Sequence, residues 1–236
     1  MKSGIRNADL ERLWAAAPER SGVVFEAESV PAAGRAILRH AIANGTLLAS
    51  AVRLRMTGEL KLGSWYPFRA EQVIVAGHGM VWAAKVRMFG LPVRGSDRVL
   101  AGVGSMNWKL LGLFRIAHGE GPDVTRSGTG RLLGEMAAWL PSSLVAAQWP
   151  KADMARVGAF GEWTTLTYTL GEAGAIRRIS FPRWGNPGGG PWGYHEFRVD
   201  VEAERAFGGF TIPSRVRAGW GEDEFFRATV EAAEFR

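Results

Sequence analysis

No cysteine occurs among the 236 residues. That removes disulfides, thiolate nucleophiles and Cys-ligated metals. No apolar run approaches the roughly 18–20 residues that a membrane-spanning helix needs. The first twenty residues carry Asp9, Glu11 and Glu19 without a continuous apolar stretch, so they do not read as a secretory signal, and a cytoplasmic location is expected. Lysine and arginine, 29 against 23 acids, never form a basic cluster of five to eight residues. Twenty-four of them are arginine, mostly alternating with apolar residues as on a solvated strand face, and nucleic acid is not an expected partner. Four histidines (His40, His78, His118, His195) lie far apart, and no metal or other cofactor is expected. There is no G-x-S-x-G elbow, no phosphate-binding G-x-x-x-x-G-K-[ST] loop and no H-E-x-x-H helix. Gly128, Gly130 and Gly134 have the wrong last spacing for a dinucleotide fingerprint, and Gly188-Gly189-Gly190 reads as a hairpin tip.

What remains is an ordinary globular composition, 47% apolar and 22% charged, in a length suited to one domain with a small appendage. Leu10, Leu13, Trp14 and Ala17 recur with helical spacing, Asn7 or Asp9 is suited to cap that helix, and Pro18 stops it. A second helix is expected from Ser29, with Pro31 in its first turn and Asn44-Gly45 as its end. From Val52 to Leu62 the period changes to two, with Gly58 as a candidate bulge. Further alternating stretches bring the total to about ten strands. They are interrupted by a helix over about residues 128–140, capped by Thr129 and ended before Pro141. Residues 1–30 read as an N-terminal helical extension and 31–236 as a single curved-sheet domain. The expected class is α+β, mainly β: a strongly curved antiparallel sheet, a half-open barrel, with N-terminal helices and a middle helix packed against it. A two-sheet sandwich is the competing arrangement.

Polar residues at positions that alternation assigns to the dry face are the informative ones. Gln72 shares parity with Phe68 and Ile74, Arg183 with Ile179 and Phe181, His195 with Phe197 and Val199. An unpartnered buried polar group costs several kcal/mol, so each needs a local partner, solvent at a strand end, or a cavity with a few convergent polar groups. On the middle helix Arg131, Glu135 and Trp139 form one stripe; Arg131 and Glu135 make an ordinary ion pair if exposed, or orient a headgroup if the helix fills the mouth of the sheet. Trp82, Trp139 and Met88 are candidates for apolar wall. The ten tryptophans also suit plugs at barrel ends or contact with a membrane surface.

Several stretches, Trp65-Tyr66-Pro67-Phe68-Arg69-Ala70-Glu71-Gln72, Val81-Trp82-Ala83-Ala84, Gly130-Arg131-Leu132-Leu133-Gly134-Glu135-Met136, Trp139-Leu140-Pro141, Pro191-Trp192-Gly193 and Ile212-Pro213, resemble a family of uncharacterised bacterial proteins known as a domain of unknown function. The W-x-P-F-x-A-E-Q stretch is its most specific piece, and the likeness runs from about Pro31 to the C-terminus. It implies the extent of the domain and no activity. The order helix, meander, helix, meander is also similar to the half-barrel of bacterial lipoprotein carriers, which implies an architecture only. The leading functional expectation is a non-catalytic binding protein. Its concave sheet would hold an apolar or amphipathic small molecule, a lipid among the candidates, with Gln72, Arg183 and His195 addressing a headgroup. Two others stand beside it. One is a metal-independent acid–base enzyme using Glu71 or Glu135 as base, His78 or His195 as acid, and Arg131 or Arg183 against an anion, although alternation assigns Glu71 to the wet face. The other is a module in peripheral contact with anionic membranes.

Overall fold

A computed structural model describes residues 7–20 and 22–236; the remaining residues of the proposed 1–30 extension lie outside the described ones. Helix α1 (Ala8–Ala15) begins where Asn7 Oδ1 accepts hydrogen bonds from the amides of Asp9 and Leu10, at 3.0 and 3.1 Å, so Asn7 and not Asp9 is the cap. The second helix, α2 (Arg35–Ala41), is shorter than its sequence signals imply. The stretch from Ala27 to Gly34 forms two separate 3₁₀ turns instead, because extended Pro31 separates them.

Among the described residues all strands belong to one sheet of thirteen. Strands β1 (Ala51–Leu62), β2 (Ser64–Val75), β3 (Gly79–Met88), β4 (Leu91–Leu100), β5 (Val103–Leu110) and β6 (Phe114–Glu120) meander to one edge. Helix α3 (Pro122–Trp139) carries the chain across to β7 (Gln148–Lys151) at the opposite edge. From there β8 (Met154–Ala159), β9 (Glu162–Leu170), β10 (Ile176–Gly185), β11 (Gly193–Phe207), β12 (Phe210–Trp220) and β13 (Asp223–Phe235) meander back until β13 pairs with β1. The edge strands β6 and β7 do not pair with each other. Helix α3 lies in the concave face and touches β4, β5 and β6 on one flank and β8, β9 and β10 on the other. The arrangement is a half-open barrel, not a sandwich.

Three details depart from the sequence reading. The strands number thirteen and not about ten, in part because Ala101-Gly102 forms a tight turn with positive φ at both residues between β4 and β5; alanine gives no turn signal there. Helix α3 starts at Pro122, where a missing N–H is tolerated. Thr129 is therefore not a cap: it lies inside the helix and donates its hydroxyl to the Thr125 carbonyl at 2.9 Å. The irregularity in β1 falls between Arg55 and Met56, not at Gly58, whose bare Cα instead lets the Arg227 carbonyl of β13 come close.

The main core lies between the concave face, α2 and α3, and includes Leu54, Ile74, Leu132 and Ile179. A smaller one lies on the convex face, where Leu10, Leu13 and Trp14 of α1 cover Ala51, Val73, Val75, Val81 and Ala83. Strands β2 and β3 are thus buried on both sides, which is why Val73–Val75 and Met80–Ala84 lose the alternation seen in β1. The same helix corrects the placement of Glu71 on a wet face. Glu71 is buried, 2.7 Å from Arg53, which also holds Glu11 of α1.

Seating α3 requires glycine. A Cβ at Gly134 would stand 2.5 Å from Phe181 Cζ of β10, and one at Gly130 would stand 3.1 Å from Arg183 Cγ. Alanine is ordinarily the better helix former by about 1 kcal/mol, but overpacking costs about 1–3 kcal/mol. Gly134→Ala is therefore expected to destabilise the protein, lowering its melting temperature by about 2–4 °C per kcal/mol lost. Thermal denaturation followed by circular dichroism checks this; an unchanged or raised midpoint would show that Phe181 swings away freely.

Candidate functional site

The concave face is too curved, and its aromatic side chains too rigid, to be filled completely. A cavity of about 430 Å³ remains between α3 and the sheet, within the roughly 300–1,000 Å³ common for small-molecule sites. Alternation from nine strands aims apolar side chains at it, among them Trp82, Met88, Trp108, Phe197 and Trp220, while α3 contributes Trp139. Trp139 is fixed by its indole N–H, which donates to the Pro213 carbonyl at 3.1 Å. Leu60 and Leu62 of β1 and Ile116 of β6 also border the cavity.

The polar part of the lining is a chain of contacts across α3. Arg131 donates from Nε to Glu135 Oε1 at 2.7 Å and from Nη1 to Asp97 Oδ2 of β4 at 2.9 Å. The other oxygen of Asp97 accepts the Trp108 indole N–H at 2.9 Å. The other oxygen of Glu135 accepts a hydrogen bond from Gln72 Nε2 of β2. The Arg131 guanidinium also lies over the Trp82 ring, 5.0 Å from its centroid. Burial opposes the charge of Arg131, but Glu135 and Asp97 outweigh it and hold its pKa above the ordinary arginine value.

Arg183 is different. It comes from β10 beside Arg131, is 9% exposed and lines the cavity. Its Nε donates to the Ser127 carbonyl of α3 at 3.3 Å, and its guanidinium lies over the rings of Phe197 and Trp220 at 4.7 and 4.9 Å. Among the described residues no carboxylate is within ion-pair distance of it. Burial, and then repulsion from Arg131, push its pKa down to about 9, although the more distant Glu135 and Asp97 act the other way. A cation held over aromatic faces at the wall of an apolar cavity, with its neighbour's charge already satisfied, is a natural receptor for an anion.

Of the residues singled out from sequence, Trp82, Met88, Arg131, Glu135, Trp139 and Arg183 line one cavity. Gln72 is on the concave face and fully buried, but behind Glu135, where it also approaches Met80 Sδ at 3.7 Å. His195 pairs with Arg183 across β10 and β11, and its ring meets the edge of Trp220 without reaching the cavity. Glu71 is on the convex side, and His78 is exposed in the β2–β3 turn; neither approaches Glu135. Sequence reasoning missed Asp97, Trp108 and Trp220. Asp97 shares parity with Val93 and Val99, so the same inspection of dry-face positions applied to β4 would have found it.

If the contacts through Glu135 tie α3 to β2 and β4, Glu135→Leu will leave Arg131 with Asp97 alone and Gln72 without its acceptor, and cost about 2–3 kcal/mol. Glu135→Gln, which keeps an acceptor of the same shape, will cost less. Urea denaturation of the two variants measures the difference, and equal midpoints would show that the network carries no load.

No curated protein matches the chain. Among solved structures it is similar to a LolA superfamily protein from Nitrosomonas europaea, with 9% identity over 91% of this chain and 94% of that one and a TM-score of 0.42. It is also similar to a DUF1329 family protein from Desulfovibrio piger, with 10% identity over 79% and 86% and a TM-score of 0.37. The family match extends the sequence likeness by six residues at its N-terminal side and stops short of the final residues. Residues 25–228 match the model of a family of unknown function (DUF6544), and the chain belongs to that family.

Proposed function

We propose that the protein binds an amphipathic small molecule with an anionic headgroup, a lipid-like acid, without transforming it. The observation that carries this reading is Arg183: a cation in the wall of an apolar cavity whose only hydrogen bond among the described residues is to a main-chain carbonyl. The tail would run along Trp108, Met88 and Phe226, which supply apolar contact. The headgroup would face Arg183, with the buried Trp82 indole N–H, which has no hydrogen-bond partner among the described residues, as a second donor in the same wall. Arg131 would act indirectly: with both its carboxylates in place it presents no spare charge, so it raises the need of Arg183 for an anion without competing for it. An acid–base role for Glu135 has less support, since both of its oxygens are already engaged.

Three expectations test the reading. Laurate is expected to quench or shift the fluorescence of the cavity tryptophans, and dodecanol to bind more weakly. Arg183→Met is expected to lose roughly 10- to 100-fold in laurate affinity, as for one charge-assisted hydrogen bond removed, while dodecanol binding holds. The same variant should melt higher than the wild type without ligand at pH 7. A depressed arginine pKa means that the charged form is held at a cost below about pH 9, relieved only as pH rises through that value. A variant that melts lower, or that binds laurate as well as the wild type does, would refute the assignment.

The pH dependence follows with the same sign. Laurate is ionised throughout the alkaline range, so its affinity is expected to be level from pH 7 to 8 and to weaken as pH climbs past about 9, where free Arg183 loses its proton. Titrations at several pH values check this, and affinity that strengthens with pH would count against Arg183 as the receptor.

A further inference from the structure

The register of the meander places five cations side by side on the convex face. Arg69 of β2 pairs with Lys85 of β3, Lys85 with Arg94 of β4, Arg94 with Lys109 of β5, and Lys109 with Arg115 of β6. At about 4.8 Å per strand the row spans about 19 Å. Like charges directly opposite one another destabilise a sheet, so such a row needs an anion to balance it. Among the described residues none of the five makes an ion pair, and from residue 76 to 119 the only acid is Asp97, committed to Arg131 on the other face. Helix α1 neutralises the adjacent part of this face through Arg53 and Arg98 and stops there.

The hairpin tips beside the row are apolar and exposed. Phe89 and Leu91 form the β3–β4 tip, and Leu111, Leu113 and Phe114 the β5–β6 tip; Phe89 is 84% and Leu113 76% exposed. Each cation from β3 to β6 lies within four residues of one of these side chains. Phe89 and Leu111 have φ of 49° and 54°, a conformation that glycine or asparagine adopts more cheaply. Large apolar side chains thus stand in water at positions where local chemistry favours small or polar ones. Leu62 and Ile116, at the same end of the sheet, border the cavity.

The geometry points to a docking surface for an anionic lipid bilayer. The tips enter the acyl boundary, the cationic row meets the headgroup phosphates, and the cavity end faces the membrane. The apolar tips distinguish this surface from one built for nucleic acid, which needs the cations and gains nothing from leucine and phenylalanine side chains. The docking does not depend on what the cavity holds, and its test uses residues outside the cavity lining.

Flotation with phosphatidylglycerol-containing vesicles, compared with pure phosphatidylcholine vesicles, reads the binding. The wild type is expected to float with the anionic vesicles only, and less at high salt. Arg94→Gln with Lys109→Gln should weaken binding about 25-fold, a factor of about five for each cation near the surface, while raising the melting temperature by relieving repulsion. Leu113→Ser with Phe114→Ser should weaken it tenfold or more with the melting temperature unchanged. Wild-type protein that ignores anionic vesicles, variants that float as well as wild type, or displacement from vesicles by equimolar DNA duplex would each overturn the proposal.

Discussion

An open sheet whose two edges do not meet depends on whatever fills its concave face, and here that is α3. Two unlike contacts hold the helix. On one flank Arg131 and Glu135 reach across to Asp97 of β4 and Gln72 of β2, so the join is polar and directional. On the other, Gly130 and Gly134 let the helix backbone come down on Arg183 and Phe181 of β10, so the join is close and steric. The first sets which way the helix is rotated and the second how near it comes. Together they leave room for a cavity toward β3, β5 and β12, because the helix is drawn to one side of a curve that large aromatic side chains cannot close.

The interior charges explain why that cavity is polarised. Asp97, Glu135, Arg131 and Arg183 sum to no net charge, but the geometry divides them unequally. Both carboxylates contact Arg131, and Arg183 is left with a main-chain carbonyl and two ring faces. In a low-dielectric setting proximity outweighs formal balance, which is why the two neighbouring guanidinium groups are shifted in opposite directions. The convex face repeats the pattern at larger scale: where α1 lies, Glu11 and Asp9 match Arg53 and Arg98, and toward β6 the row from Arg69 to Arg115 makes no ion pair among the described residues.

Much of this was legible in the chain. Strict alternation from Val52 to Leu62 implies a strand with one dry face, and the spacing of Leu10, Leu13 and Trp14 implies a helix with one. The parity of Gln72, Arg183 and His195 placed all three on the concave side, which is where they lie. The limits of α3 were less legible, since Ser127-Gly128-Thr129-Gly130 suppresses the helical pattern that the glycines serve. The Ala101-Gly102 turn was hidden because alanine rarely marks one.

Local periodicity, then, reports which face of a strand or helix is apolar, and from it the half-open barrel and the six lining residues Trp82, Met88, Arg131, Glu135, Trp139 and Arg183 were within reach. Which buried cation is neutralised, why Gln72 and His195 stop short of the cavity, and how Arg69, Lys85, Arg94, Lys109 and Arg115 come into one row were not. Those depend on distances between residues far apart along the chain, and such distances are set by strand register, sheet curvature and the seating of two helices. A pattern of neighbours in sequence carries no measure of them.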